Sequence, residues 1–266
     1  MKLYGVFVGI DNYADPNIPK LSYAKADAEH FFKLVEESMS LSSSKYQLKL
    51  LTDTQATKQS VLKAIGEDLS RVVQEEDLLL LFFSGHGSPE TTASIDKTAR
   101  YLVLYDTEYE NIFATGLDME RDLPVMCFDR IVAKHIVLFV DTCFSGRAGG
   151  RTFEGPHLLR RRLKQGVRGP IKLDEMKLGE GRIIATACDD DELAREYAVL
   201  GHGVFTHFLI ETLAHRTSEE QSIGIPKLYE VVSEKVVAYT HGRQHPILNG
   251  RTRLGRLPLL IGPHNY

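Results

Sequence analysis

Two stretches share one design: residues 77–87, Asp77-Leu-Leu-Leu-Leu-Phe-Phe-Ser-Gly-His-Gly87, and residues 135–146, His135-Ile-Val-Leu-Phe-Val-Asp-Thr-Cys-Phe-Ser-Gly146. Each is a short, continuous apolar run that ends in Gly and reactive polar residues. Such runs read as fully buried strands of a parallel sheet. Open parallel sheets carry their ligand sites just beyond the carboxyl ends of the strands. If the two strands are neighbours, His86 and Cys143 emerge side by side at that edge. A thiol beside an imidazole is the minimum kit for a cysteine nucleophile and its acid/base partner. Gly85 and Gly87 on one side, and Gly146 on the other, leave room for a substrate backbone. The backbone N–H groups of Cys143 and Gly87 are predicted to point at one oxygen as an oxyanion hole.

Working outward, apolar strands alternate with amphipathic stretches, the pattern of βαβ units. Strands are predicted at Leu3–Ile10, Gln47–Leu51, Leu78–Phe83, Ile136–Val140, Arg182–Ala187 and Leu257–Ile261, with a hairpin strand at Arg100–Tyr105. Helices are predicted at Ala24–Met39, Thr57–Val73, Leu123–Ala133, Phe205–Leu213 and Ile225–Tyr239. The second is expected to bury Val61, Ile65, Leu69 and Val72. The expectation is a single α/β domain over residues 1–266, with a mainly parallel, roughly six-stranded central sheet and helices on both faces.

The chain has 266 residues, 43% hydrophobic and 26% charged, enough to bury a sizeable core. A net charge of −4 argues against nucleic acid as a partner. Three cysteines without metal-ligand spacing argue against a disulfide framework or a cysteine metal site, and for a cytoplasmic setting. No apolar run approaches membrane-spanning length. Cys127 falls in a predicted helix, and Cys188 ends a predicted strand beside Asp189-Asp190-Asp191, so both read as structural.

The pattern breaks after Cys143. Residues 147–172 carry eight basic side chains, Arg147, Arg151, Arg160, Arg161, Arg162, Lys164, Arg168 and Lys172, against the single acid Glu154. Their glycines and prolines and their weak apolar periodicity predict a mobile basic loop. Phe153 is its one aromatic, too little for base stacking.

Ser84-Gly85-His86-Gly87 and Asp141-Thr142-Cys143-Phe144-Ser145-Gly146 resemble the histidine and cysteine motifs of the caspase-like cysteine peptidases (peptidase C14-like). The match is closer to the metacaspase and bacterial caspase-homologue branch than to animal caspases, whose Gln-Ala-Cys-x-Gly signature is absent. Val8-Gly9-Ile10-Asp11-Asn12-Tyr13, Leu21-x-x-Ala24-x-Ala26-Asp27-Ala28, Arg182 through Glu196, and Gly203-Val-Phe-Thr206 are similar to further elements of that branch, in the same order. The resemblance spans Leu3 to Leu213.

It implies a caspase-like three-layer sandwich and a cysteine endopeptidase acting on proteins or peptides, with Cys143 and His86 as the catalytic pair. It also implies that Asp27 and Asp141 line S1, the pocket for the residue before the scissile bond (P1). Two carboxylates suit a cationic Arg or Lys at P1. Animal caspases use arginines to hold aspartate, and no arginine occurs between Met1 and Ser70. The basic loop then becomes a candidate activation site, cut after Arg160, Arg161, Arg162 or Arg168 by the enzyme itself or by an activating protease. Bacterial members of the branch are often effectors of cell death or antiphage defence. The chemistry needs no cofactor and no metal, although several metacaspases require calcium; Asp189-Asp190-Asp191-Glu192 lacks the alternating spacing of an EF-hand loop. A rival reading is a silent caspase-like scaffold that binds a regulatory partner through the basic loop. A flavodoxin-like nucleotide-binding domain is disfavoured, because Asp11-Asn12-Tyr13 is no phosphate loop.

Overall fold

The structure is a computed structural model that describes residues 1–41, 45–91, 98–144, 151–152, 180–189, 192–214 and 223–251. In chain order its strands are β1 (Leu3–Gly9), β2 (Tyr46–Thr52), β3 (Leu78–Ser84), β4 (Gly87–Thr91), β5 (Thr98–Leu102), β6 (Leu117–Asp118), β7 (His135–Asp141), β8 (Arg182–Thr186), β9 (Glu196–Tyr197), β10 (His202–Gly203) and β11 (Ile247–Arg251). Its helices are α1 (Ala24–Leu41), α2 (Lys58–Leu62), α3 (Ile112–Thr115), α4 (Asp122–Pro124), α5 (Val204–Ala214) and α6 (Ile225–Tyr239).

Six strands form the central sheet in the order β11-β8-β7-β3-β1-β2. The five from β8 to β2 run parallel, and β11 closes the edge antiparallel to β8. β3 is buried along its whole length, as a strand covered on both faces must be. Alternate side chains go to opposite layers. Val6, Val8, Leu79, Leu81, Phe83, Leu138 and Val140 face Val61, Ile65, Leu69 and Met126. Leu3, Phe7, Leu80, Phe82, Val137 and Phe139 face α1, α5 and α6. Phe31 of α1 sits at the centre of the second layer, with ring centroids 5.4 Å from Phe7, 5.1 Å from Phe82 and 5.9 Å from Phe139.

Three elements differ from the sequence expectation. The helix predicted over Thr57–Val73 is broken: α2 passes into a π-helical stretch at Lys63–Asp68 and a 3₁₀ turn at Leu69–Arg71. The slip in register leaves Val72 40% exposed while Leu69 stays buried. Leu123–Ala133 is likewise shorter, α4 followed by a π turn at Val125–Asp129. The hairpin strand is real but belongs to a separate antiparallel sheet, β4-β5-β6. Leu257–Ile261 lies outside the described residues, and β11 holds the sixth position in the sheet.

One rung of the sheet organises everything that follows. Gly9, Ser84 and Asp141, the last residues of β1, β3 and β7, are register partners. Beyond it, Asp11 accepts from the N–H groups of Ala24 and Lys25 at 2.7 and 3.3 Å, so the end of β1 holds the start of α1. A Cβ at Gly9 would lie 2.5 Å from the Ala24 carbonyl oxygen and 2.6 Å from the Ala28 Cβ. The missing side chain is what lets the first turn of α1 rest on the sheet. Gly9→Ala is therefore expected to destabilise the fold by about 1–3 kcal/mol through overpacking. A urea unfolding midpoint unchanged from wild type would contradict this close approach.

Candidate active site

β3 and β7 pair so that Ser84 is opposite Asp141. His86 and Cys143 each lie two residues past that rung, which brings the two candidate catalytic residues to the same sheet edge. The His86 N–H donates to the Tyr13 hydroxyl at 2.9 Å, and Nε2 lies 2.9 Å from the Pro19 carbonyl oxygen. A carbonyl only accepts, so Nε2 carries the hydrogen and the neutral ring keeps its lone pair on Nδ1. Burial lowers the pKa of His86 to about 4, against polar contacts with the Pro19 and Arg151 backbones that favour its charged form. The imidazole is thus a neutral base at physiological pH.

Cys143 is buried, and its thiol donates to the Glu192 carbonyl oxygen at 2.6 Å. Cys188 lies beside it. Its own thiol is 3.8 Å from the same oxygen and 3.6 Å from the Thr142 carbonyl oxygen. Hydrogen bonding with Cys143, together with burial, raises the Cys188 pKa well above the ordinary thiol value, so Cys188 stays protonated. Cys127 is buried on the opposite face of the sheet, where burial also raises its pKa.

Asp27 and Asp141 are both fully buried, and the residue between them is Arg151. Its guanidinium lies 2.6 Å from Asp27 Oδ2, 3.2 Å from Asp141 Oδ1 and 3.4 Å from Glu196 Oε2, and also donates to the Ser84 hydroxyl. Asp27 is held by Ser84 Oγ at 2.9 Å, by His202 Nδ1 at 2.7 Å and by the Gly203 N–H at 3.2 Å. Asp141 accepts from Thr206 through its hydroxyl at 2.6 Å and its N–H at 3.2 Å. A Cβ at Gly203 would come within 2.5 Å of Asp141 Oδ2 and 2.7 Å of Arg151 Nη2, so glycine there opens the space that the guanidinium fills. Burial raises the Asp141 pKa to about 6, against the lowering effect of Arg151. Although burial opposes its charge, the carboxylates of Asp141, Asp27 and Glu196 hold Arg151 above its ordinary value.

The backbone of Arg151 is as firmly placed as its side chain. Its carbonyl oxygen accepts from the N–H of Gly87 at 3.0 Å and from that of Cys143 at 3.4 Å. Its own N–H donates to the Ala194 carbonyl oxygen at 3.2 Å. Thr152 follows in a bridge to Gly87, with its hydroxyl donating to the Gly87 carbonyl oxygen at 3.1 Å.

This overturns the expectation for part of the basic stretch. Arg151 and Thr152, its two described residues, are not a solvated loop, and Arg151 has 0% exposure. Arg160, Arg161, Arg162 and Arg168 lie outside the described residues. So do Asp190 and Asp191 of the acidic run. Of the two acids that remain, Asp189 and Glu192, Glu192 pairs with His245. Among the described residues no cluster of His, Cys, Asp or Glu is arranged to hold a metal ion, and no helix is long and apolar enough to cross a membrane.

The caspase domain family (Peptidase_C14) matches residues 4–257, and the chain belongs to that family. This places it in a class of cysteine peptidases, whose substrates are proteins and peptides. A crystal structure of a protein from Geobacter sulfurreducens shares its fold, with a TM-score of 0.67 at 18% identity over 99% of this chain and 98% of that one. No curated protein matches the chain.

The charges in this cluster depend on one another. Removing one partner of a buried ion pair typically costs about 3–5 kcal/mol. Arg151→Met, made in Cys143→Ala so that no peptidase activity intervenes, is expected to lose that much stability at pH 8. The loss should shrink at pH 5. The Asp141 pKa is raised by folding, so its contribution is full below the ordinary carboxylate value and is lost as pH rises through about 6. Without Arg151 that loss is larger. Urea unfolding at the two pH values checks it, and a penalty independent of pH would refute the dependence.

Proposed function

We propose that the protein is a cysteine endopeptidase that cleaves after Arg, and less efficiently after Lys, with Cys143 as nucleophile and His86 as its acid/base partner. Gly87 and Cys143 supply the N–H donors that stabilise the oxyanion. Asp27 and Asp141 form the floor of S1, with Glu196 at its side. The observation that carries this reading is Arg151: one peptide-linked arginine has its guanidinium between the two aspartates and its carbonyl oxygen on the two N–H groups beside the candidate nucleophile. That is the pose of a P1 residue. The likeness of the cysteine, histidine and aspartate motifs to the metacaspase branch supports the same specificity.

The chemistry follows from the contacts. His86, fixed by Pro19 so that Nδ1 bears the lone pair, takes the thiol proton and later gives it to the leaving amine. The thiol must first leave the Glu192 carbonyl. Arg fits better than Lys, because a planar guanidinium reaches two carboxylates and the Ser84 hydroxyl at once, whereas an ammonium is a point donor. Activation is by cleavage in the chain that follows Cys143.

Peptides with a fluorogenic leaving group after Arg, Lys or Asp test the assignment, using protein nicked after Cys143 by trypsin that is then inhibited. Arg peptides should turn over fastest, and Cys143→Ala should abolish turnover. Asp27→Asn should lower kcat/KM for Arg peptides by about 100-fold, the scale of a lost buried charge partner. Turnover of Asp peptides alone would overturn the S1 assignment, and an inert nicked protein would favour the scaffold reading.

A further inference from the structure

We propose that the Arg151–Thr152 peptide bond is the protein's own first substrate, cut in cis, and that until the cut Arg151 closes the active site to every other substrate. This rests on the function proposed above. It goes further by naming the bond, and it moves the processing point away from the Arg160–Arg162 cluster to a residue only eight positions after the nucleophile.

Several independent contacts position that bond. The guanidinium fills the space between Asp27 and Asp141. The carbonyl oxygen takes both candidate oxyanion donors. The Arg151 N–H pairs with the Ala194 carbonyl oxygen, as a substrate strand pairs with a cleft wall. On the far side of the bond, the Thr152 hydroxyl donates to the Gly87 carbonyl oxygen. His86 has a polar contact with the Arg151 backbone. A residue that served only as an electrostatic plug would need its side chain in the pocket. It would not need its carbonyl on Gly87 and Cys143.

The thiol is in a waiting position, donating to Glu192 rather than facing the carbonyl carbon. Once Sγ turns, its proton passes to His86 and a C–S bond forms to the Arg151 carbonyl carbon, with the negative oxygen held by the two N–H groups. Collapse breaks the C–N bond, and His86 delivers the proton to the Thr152 amine. Water then attacks the Arg151–Cys143 thioester with His86 as base. The products are an Arg151 carboxylate, a free thiol and a chain beginning at Thr152; one water is consumed.

The test is intact-mass analysis with N-terminal sequencing of full-length protein during incubation, alongside hydrolysis of an Arg-P1 fluorogenic peptide. Wild type should yield fragments 1–151 and 152–266 with a first-order rate independent of protein concentration. Peptide hydrolysis should begin after a lag that tracks the Thr152 terminus. Cys143→Ala should remain whole. Arg151→Lys should be cut at the same bond at least tenfold more slowly. Arg151→Gln should not be cut there and should hydrolyse the peptide without a lag. Because Arg151→Gln is exposed to misfolding, its circular dichroism is compared with that of wild type. A synthetic peptide of residues 148–156, offered to trypsin-nicked enzyme, tests the same bond without any variant; cleavage between Arg151 and Thr152 supports the proposal.

Cutting confined to Arg160–Arg162 or Arg168, or none in a wild type that hydrolyses Arg peptides without a lag, overturns this inference and leaves the proposed function standing. A nicked wild type that hydrolyses no Arg or Lys peptide overturns both.

Discussion

A guanidinium with no exposed surface, set among three carboxylates, is the contact on which the rest of the site depends. Neither sign of charge could remain there alone, because transferring an isolated ion out of water costs several kcal/mol even after relaxation. The cluster also gathers the architecture: Asp27 comes from α1, Ser84 from β3, Asp141 from β7, Glu196 from β9, Gly203 from β10 and Thr206 from α5. When the cation leaves, the acids must take in water, a proton or another cation. Burial already raises the Asp141 pKa to about 6, so a proton reaches its carboxylate at mildly acidic pH. Under the proposed function, selectivity for a cationic substrate and reluctance to release the internal arginine have one physical origin.

The segment from Glu192 to Glu196 couples the parts. The Glu192 carbonyl holds the Cys143 thiol, the Ala194 carbonyl holds the Arg151 N–H, and the Glu196 carboxylate reaches the guanidinium. The segment is itself fixed from behind. The Glu192 carboxylate pairs with His245, and the Arg195 N–H donates to Gln244, whose amide donates to the Ala187 carbonyl oxygen at the end of β8. Any displacement of residues 244–245 would thus be felt at the thiol and at the occupied pocket together.

The sheet, and the placing of His86 and Cys143 just past neighbouring strand ends, were legible because parallel strands buried on both faces leave an unbroken apolar run, and both runs end in the same kind of turn. β11 was not legible: Asn249 and Gly250 dilute its apolar character, and Gly250 has a positive φ of 107° that a strand pattern does not anticipate. The π-helical stretch at Lys63–Asp68 shifts a helical stripe in a way that a 3.6-residue period cannot register. Asp27 and Asp141 were singled out as S1 candidates through family resemblance, and proximity to Cys143 in sequence would have pointed to Asp141 alone. Arg151 was missed for a physical reason. Composition reads a basic, glycine-rich stretch as solvated, and only the three-dimensional meeting of Asp27, Asp141 and Glu196 makes a buried arginine affordable there. Cys188 was read as structural and remains protonated, but parallel pairing of β7 and β8 carries it to the side of Cys143.

Chain connectivity gives the occupied pocket its force. Arg151 is joined to Cys143 by so few residues that its local concentration at the cleft is on the order of millimolar or higher, which substrates in solution must exceed to compete. Short connection also means that a cut after Arg151 does not dispose of it. The new carboxylate terminus stays tethered to the nucleophile through residues 144–150, with its guanidinium still matched to the two aspartates. What changes is the other side of the bond: the contact of Thr152 with Gly87 no longer holds Arg151 in place, and a charged carboxylate replaces the amide carbonyl on the two N–H groups. The balance between the tethered arginine and an incoming one then rests on the substrate's further contacts along the cleft. On the proposed self-cleavage, a site built this way stays closed while the chain is whole, and after the cut it favours substrates that offer more than a basic residue alone.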